Sequence, residues 1–166
     1  DTFFQAFKIP NLLRELLAEG SMSSAFVPVL TEYRQKHGEE EAVRLVRITF
    51  TSILVVVGLI CVLGIIFSPA IVTVVSPGFV KFPDKFSMTV LLTRIMFPFL
   101  LCVSLAALLM GALNTKKVFF VPALAPAMLN VTLILSIIFF ESRTSQPIIA
   151  AAIGVFAGGF VQFAFQ

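Results

Sequence analysis

Four charge-free stretches run along the chain at 48–80, 95–115, 118–140 and 144–166, and each is long enough to cross a bilayer. A spanning helix needs about 20 mainly apolar residues, because it rises about 1.5 Å per residue through about 30 Å of hydrocarbon. A fifth apolar segment, 2–18, is interrupted by Lys8, Pro10, Arg14 and Glu15. It reads as a helix bent near Pro10, whose ring removes a hydrogen bond and clashes with the carbonyl of Ala6. The region 21–47 opens with Ser21, Ser23 and Ser24 and sets Phe26, Val27, Val29, Leu30 and Tyr33 between polar positions. That pattern predicts a short interfacial helix ended by Gly38, with the cytoplasmic segment running on to Arg47.

Glu39, Glu40 and Glu41 stand where acidic residues favour a helix N-terminus, so the second spanning helix is expected to start near Glu40. Its membrane part is read as 49–67, with Pro69 and the turn Ser76-Pro77-Gly78 on the far side. Asp84 is the expected N-cap of a third span over 87–113, and Asn114-Thr115-Lys116-Lys117 the following turn. The last two spans are read as 119–140 and 147–165. Gly154-x-x-x-Gly158 in the final one matches a small-residue packing pattern. The fold class is therefore all-α, a polytopic helical membrane protein with about five transmembrane helices in this chain.

Composition agrees: hydrophobic residues make up 58% and charged residues 13%, and the mean hydropathy is +1.03, outside the balance of a water-soluble domain. Of the 21 charged residues, 13 lie in the first 47 positions, which directs the search for function there. The pI near 9.1 does not point to nucleic acid, because the basic residues are scattered at segment ends and form no patch. Cys61 and Cys102 each sit in an apolar run and read as small buried hydrophobes. His37 has no second histidine with which to share a metal and reads as a solvated loop residue. The chain opens on Asp1 rather than Met and stops on Gln166 while still apolar, as expected of a piece of something longer.

The charges on the first helix carry the chemistry. Each costs about 2.5–3.5 kcal/mol at the centre of a spanning helix, and such residues normally face a cavity or a partner. At about 100° per residue, Asp1, Lys8, Glu15 and Glu19 fall on one stripe with Asn11 beside it. Phe3, Ala6, Ile9, Leu13 and Leu16 point away. Arg14 lies off the stripe and joins it only if the bend at Pro10 re-phases the lower half. Two readings stand. In one, Lys8 and Arg14 snorkel to headgroups while the carboxylates are solvated at the cytoplasmic end. In the other, the stripe lines a hydrated cavity for an anionic solute. Arg grips phosphate bidentately and Lys adds a point charge, so that solute would carry phosphate.

The run Asp1-x-Phe-Phe-x-Ala-Phe-Lys8-Ile-Pro10-Asn11-Leu-Leu-Arg14, with Ala18-Glu19-Gly20 and Ala25-Phe26-Val27-Pro28-Val29, closely resembles the MurJ (MviN) family. Ser76-Pro77-Gly78-Phe79, Leu113-Asn114-Thr115 and Pro122-Ala123-x-Ala125-Pro126-x-x-Leu129-Asn130 extend the resemblance through Asn130. These are the lipid II flippases of bacterial peptidoglycan synthesis, within the multidrug/oligosaccharidyl-lipid/polysaccharide exporter superfamily. The resemblance implies a fourteen-helix transporter of the bacterial cytoplasmic membrane, with 1–166 supplying helices two to six of its N-terminal lobe. It implies lipid II and membrane lipids as partners, no cofactor, and alternating access without bond chemistry. Arg14 matches an arginine implicated in handling the lipid II head group. Asp1 matches an acidic position near the outer end of that helix, and Glu19 matches the acidic residue of the Ala-Glu-Gly element near a cytoplasmic gate. Lys8 and Asn11 share the same polar helix. At Glu15 some relatives carry a basic residue, so the charge here is reversed.

A flippase for O-antigen or capsule repeat units shares the lipid pyrophosphate chemistry, but the elements at Pro10–Arg14 and 18–20 favour the lipid II branch. A membrane enzyme acting on a lipid phosphate would need paired carboxylates or a nucleophile with its base at membrane depth, and the sequence offers neither. A scaffold role is the remaining alternative. Arg34, Lys36, Arg44, Arg47, Lys116 and Lys117 fall on one side of the predicted topology, against Lys81, Lys85 and Arg143 on the other. That places Tyr33–Arg47 and the 114–117 turn in the cytoplasm. Cysteines introduced at Lys36 and Lys116 of a Cys-free full-length protein should resist an impermeant thiol reagent added outside, while one at Lys81 should label. Labelling at Lys36 but not Lys81 would reverse the orientation.

Overall fold

The computed structural model describes residues 2–15, 21–140 and 147–166, all of whose regular structure is helical. The elements are α1 (Thr2–Arg14), α2 (Ser21–His37), α3 (Glu39–Ile66), α4 (Ser68–Val75), a 3-10 turn (Pro77–Lys81), α5 (Pro83–Thr115), α6 (Phe120–Phe140) and α7 (Pro147–Phe165). Four of them, α3, α5, α6 and α7, are long and apolar enough to cross a membrane. The chain is a polytopic helical membrane protein.

α5 is the centre of the bundle. It touches every other described helix, and 61% of its most apolar window is buried, against 17% for α3 and 11% for α6. One core joins Ala6 of α1, Leu92, Met96, Phe99 and Val103 of α5, and Ala152 and Val155 of α7. A second joins Val57 and Cys61 of α3 to Leu100 of α5, with Leu13 of α1 against it. Glycine admits the closest approaches. A Cβ on Gly64 would lie 2.1 Å from the Phe97 ring, and one on Gly159 would lie 2.5 Å from Phe99. Gly154 and Gly158 let α7 seat on α6, where a Cβ would meet Ser136 at 2.9 Å and the Leu129 carbonyl oxygen at 2.9 Å. The pattern Gly154-x-x-x-Gly158 is thus a helix-packing face.

Local chemistry explains the breaks. Gly38, at φ 87°, turns α2 into α3, a conformation that costs a glycine little. Pro69 interrupts α3 at Phe67. Proline has no N–H for the Ile65 carbonyl, and the Ser68 hydroxyl donates to that oxygen instead, at 2.9 Å. α5 ends in a Schellman motif, with the Val118 N–H on the Leu113 carbonyl at 3.1 Å and the Lys117 N–H on Asn114 at 3.0 Å. Lys117 occupies the left-handed position at φ 61°.

Two expectations change. Asp84 does not cap α5: Phe82 is the N-cap and Pro83 begins the helix, leaving Asp84 in the first turn. Proline suits that first position because its missing N–H has no helical partner there, and the carboxylate still faces the positive end of the helix dipole. α2 packs on both α5 and α3, with Leu30 fully buried and Phe26 and Val27 in reach of a Cβ on Gly111. Its serines and Pro28 mask an apolar flank that periodicity alone reads as weak. His37 is the last residue of α2 rather than a loop residue, with its ring 4.5 Å from Tyr33. α1 meets the middle of α5 through Phe7 and Phe99, and α2 meets its end through Arg34 and Thr115. Between them α1 and α2 accompany α5 along most of its length.

At Gly158 a new side chain meets a backbone oxygen that cannot swing aside, whereas a Cβ on Gly58 meets nothing within 4 Å. Gly158→Val should lower the stability of the full-length protein in detergent by about 1–3 kcal/mol. Gly58→Val should leave thermal unfolding near wild type. Equal unfolding temperatures for the two variants would contradict this account of the α6–α7 contact.

Candidate functional site: the polar face of the first helix and its two ends

The helix runs on past Pro10, which is fully buried, to Arg14, and a π-turn follows at Glu15. With that phase kept, α1 shows two faces. Ala6 and Pro10 are buried and Phe3 and Phe7 pack on the core. Phe4, Lys8, Leu12 and Glu15 are exposed, with Asn11 half-buried beside them. The Asn11 amide Nδ2 donates to Glu15 Oε1 at 3.2 Å, which ties the neutral and acidic members of the stripe together. The structure thus brings Lys8, Asn11 and Glu15 to one open face.

Arg14 is not on it. The helix is not re-phased at Pro10, so Arg14 keeps its place about 100° from Glu15. It is half-buried, with Nε shielded from solvent. Asp1 and Glu19 lie outside the described residues.

Each end of the bundle carries a polar tie that the sequence alone does not reveal. At one end, Arg34 of α2 donates through Nη1 to Thr115 Oγ1 at 2.8 Å and pairs through Nε with Glu39 Oε2 at 2.8 Å. Lys116 Nζ lies 2.6 Å from Glu39 Oε1. Glu39 precedes the charge-free part of α3 by nine positions and lies outside the membrane. Its hydrogen bond to Lys116, helped by Arg34, holds its carboxyl below the ordinary 4.5. This cluster joins the start of α3 and the end of α5, the two regions that the Lys/Arg count assigns to one side. At the other end, the Ser76 hydroxyl donates to Gln5 Oε1 at 3.2 Å, and Arg94 Nε donates to the buried Ser68 Oγ at 2.8 Å. The available signal for Arg94 was a lone charge between the apolar stretches 86–93 and 95–115 of one helix. For Arg34 and Glu39 there was none, since their partners are remote in sequence.

The cysteines are structural. Cys61 is buried and donates its thiol to the Phe97 carbonyl at 3.2 Å, while Cys102 is a half-buried free thiol. Asn130 is exposed on α6.

The family described as Lipid II flippase MurJ matches residues 1–166. The chain is 38% identical to the probable lipid II flippase MurJ of Buchnera aphidicola subsp. Schizaphis graminum, over 100% of this chain and 32% of that protein. It is 40% identical to the lipid II flippase MurJ of Burkholderia cenocepacia, over 100% of this chain and 32% of that protein. Among solved structures, it superposes on a lipid II flippase MurJ in an inward closed conformation with a TM-score of 0.80 and 27% identity, covering 99% of this chain and 34% of the other. Spanning about a third of the length of the curated relatives it matches, the chain belongs to the MurJ family.

Proposed function

We propose that this chain forms part of the N-terminal lobe of a lipid II flippase, which moves an undecaprenyl-linked peptidoglycan precursor from the inner to the outer leaflet of the bacterial cytoplasmic membrane. The observation that carries the reading is the open face of α1. Lys8, Asn11 and Glu15 are presented side by side on a helix whose opposite face is sealed into the core by Ala6 and Pro10. A helix that solvates charge on one side and packs on the other suits the wall of a hydrated cavity.

Lys8 offers the cation on the open face, and Arg14 stands at its flank where a pyrophosphate entering beside α1 meets the guanidinium. Asn11 orients Glu15 and keeps its carboxylate turned along the helix. The reversed charge at Glu15 is thereby engaged locally and weakens the pull on an anion less than a bare carboxylate would. Asp1 and Glu19 belong to the proposal through the family motif alone, as outer-end acid and gate. Alternating access moves the two lobes about the central site. The Arg34–Glu39–Lys116 cluster supports a rigid lobe, since it binds α2, α3 and α5 at one end.

The test uses the full-length protein as the sole copy in cells, with growth and outer-leaflet lipid II as readouts. Arg14→Ala and Lys8→Ala should insert at normal levels and fail to support growth. Arg14→Lys should retain only part of the activity, since the planar fork is lost, and Glu15→Gln should grow normally. Normal growth and lipid II exposure with both alanine variants would overturn the proposal.

A further inference from the structure

Arg94 is a lone charge between two apolar stretches of α5. It is exposed on α5, between the buried Thr93 and the half-buried Ile95. Its Nε is engaged by Ser68. Among the described residues, none of the ion pairs found involves it. Its depth follows from α3. Ile66 stands nineteen positions after Arg47, the last charge of that helix, a rise of about 30 Å, or one hydrocarbon thickness. Ser68, just beyond, marks the boundary of the leaflet away from the Arg34–Lys116 end, and Arg94 is held at that level.

Across this level runs an apolar groove of about 340 Å³, lined by Leu13 of α1, Leu63 of α3, Phe67 at the α3–α4 break, Ile71 and Val75 of α4 and Phe97 of α5. Phe67 directly precedes Ser68, and Phe97 is one turn along α5 from Arg94, so the Arg94–Ser68 pair adjoins the groove wall. A cation at the lipid–water boundary beside an apolar cleft matches an amphiphile with an anionic head and a hydrocarbon tail.

We propose that Arg94 and Ser68 form a binding site for an anionic phospholipid of the leaflet remote from the Arg34–Lys116 end, with the phosphate on the guanidinium and an acyl chain in the groove. Nε is spent on Ser68, and that bond aims the two terminal nitrogens of the planar fork as a phosphate clamp. The Ser68 hydroxyl meanwhile donates to Ile65, so it positions Arg94 and does not itself supply a donor to the lipid. The site lies apart from the open face of α1 and does not depend on the transported substrate.

Native mass spectrometry of the delipidated full-length protein tests this, with phosphatidylglycerol, phosphatidylcholine or inorganic phosphate added back. Wild type should retain one phosphatidylglycerol in preference to phosphatidylcholine. Arg94→Gln should reduce that preference about five- to tenfold, as expected for one charge near the membrane surface. Leu63→Trp, which fills the groove and leaves Arg94 in place, should displace the lipid. Phosphate should compete only weakly, because it lacks the chain. Circular dichroism should show both variants folded; if Arg94→Gln fails to fold, Arg94→Lys, which keeps the charge and loses the fork, gives the same comparison with an intermediate preference. Undiminished lipid retention in folded Arg94 and Leu63 variants would overturn the site. So would a wild type that holds no lipid because another part of the chain fills the groove, or full competition by phosphate, which would mean a bare anion site.

Discussion

The fold depends on rings set into glycines. In hydrocarbon, helices gain nothing from leaving lipid, so association rests on close van der Waals contact and on the few polar bonds that bridge them. α5 supplies the rings: Phe97 occupies the space that a side chain at Gly64 would need, and Phe99 does the same at Gly159. Both rings are almost fully buried. With α3 held on one side and α7 on the other, α5 becomes the axis around which α1 and α2 are laid. α6 is secured chiefly through α7, where Gly154 and Gly158 bring the backbones together.

The polar groups serve this frame at its ends and open it at one face. Ser68 repairs the carbonyl that Pro69 leaves without a donor, and Arg94 fastens the repaired break to α5. Glu39 gathers Arg34 and Lys116 so that three helices share one tie. Between these fixed ends, α1 turns a mixed face outward. Its exposed residues include Phe4 and Leu12 as well as Lys8 and Glu15, so the face is amphiphilic. Under the proposed function, that character is what a lipid-linked, phosphate-bearing substrate would meet.

Much of this was legible in the sequence, for identifiable reasons. Charge-free length locates α3, α5, α6 and α7 because bilayer thickness sets it, and Gly38 marks the α2–α3 turn because few other residues take its backbone angle. The stripe of Lys8, Asn11 and Glu15 followed from helical phase alone. Other features depend on contacts between distant residues. α2 read as a helix at the interface because its apolar flank is diluted by serines and a proline, and only Gly111 across the gap reveals that the flank is packed. Asp84 lost the cap to Phe82 because Pro83 fixes where the helix begins. Arg14 keeps off the open face because the helix runs on past Pro10. Arg94 passed as one more residue of an apolar helix until its bond to Ser68 gave it a place.

The central claim is that the outward face of α1 meets water within the full-length protein, not lipid. Nitroxides placed singly at Phe4, Lys8, Leu12 and Glu15, with Ala6 as the buried reference, allow a direct measurement by paramagnetic relaxation in bilayers. The account predicts that a water-soluble nickel chelate relaxes the four outward labels strongly and oxygen relaxes them weakly, while Ala6 is reached by neither. Strong oxygen relaxation with no effect of the chelate at Lys8 and Glu15 would show a helix facing lipid and contradict the cavity.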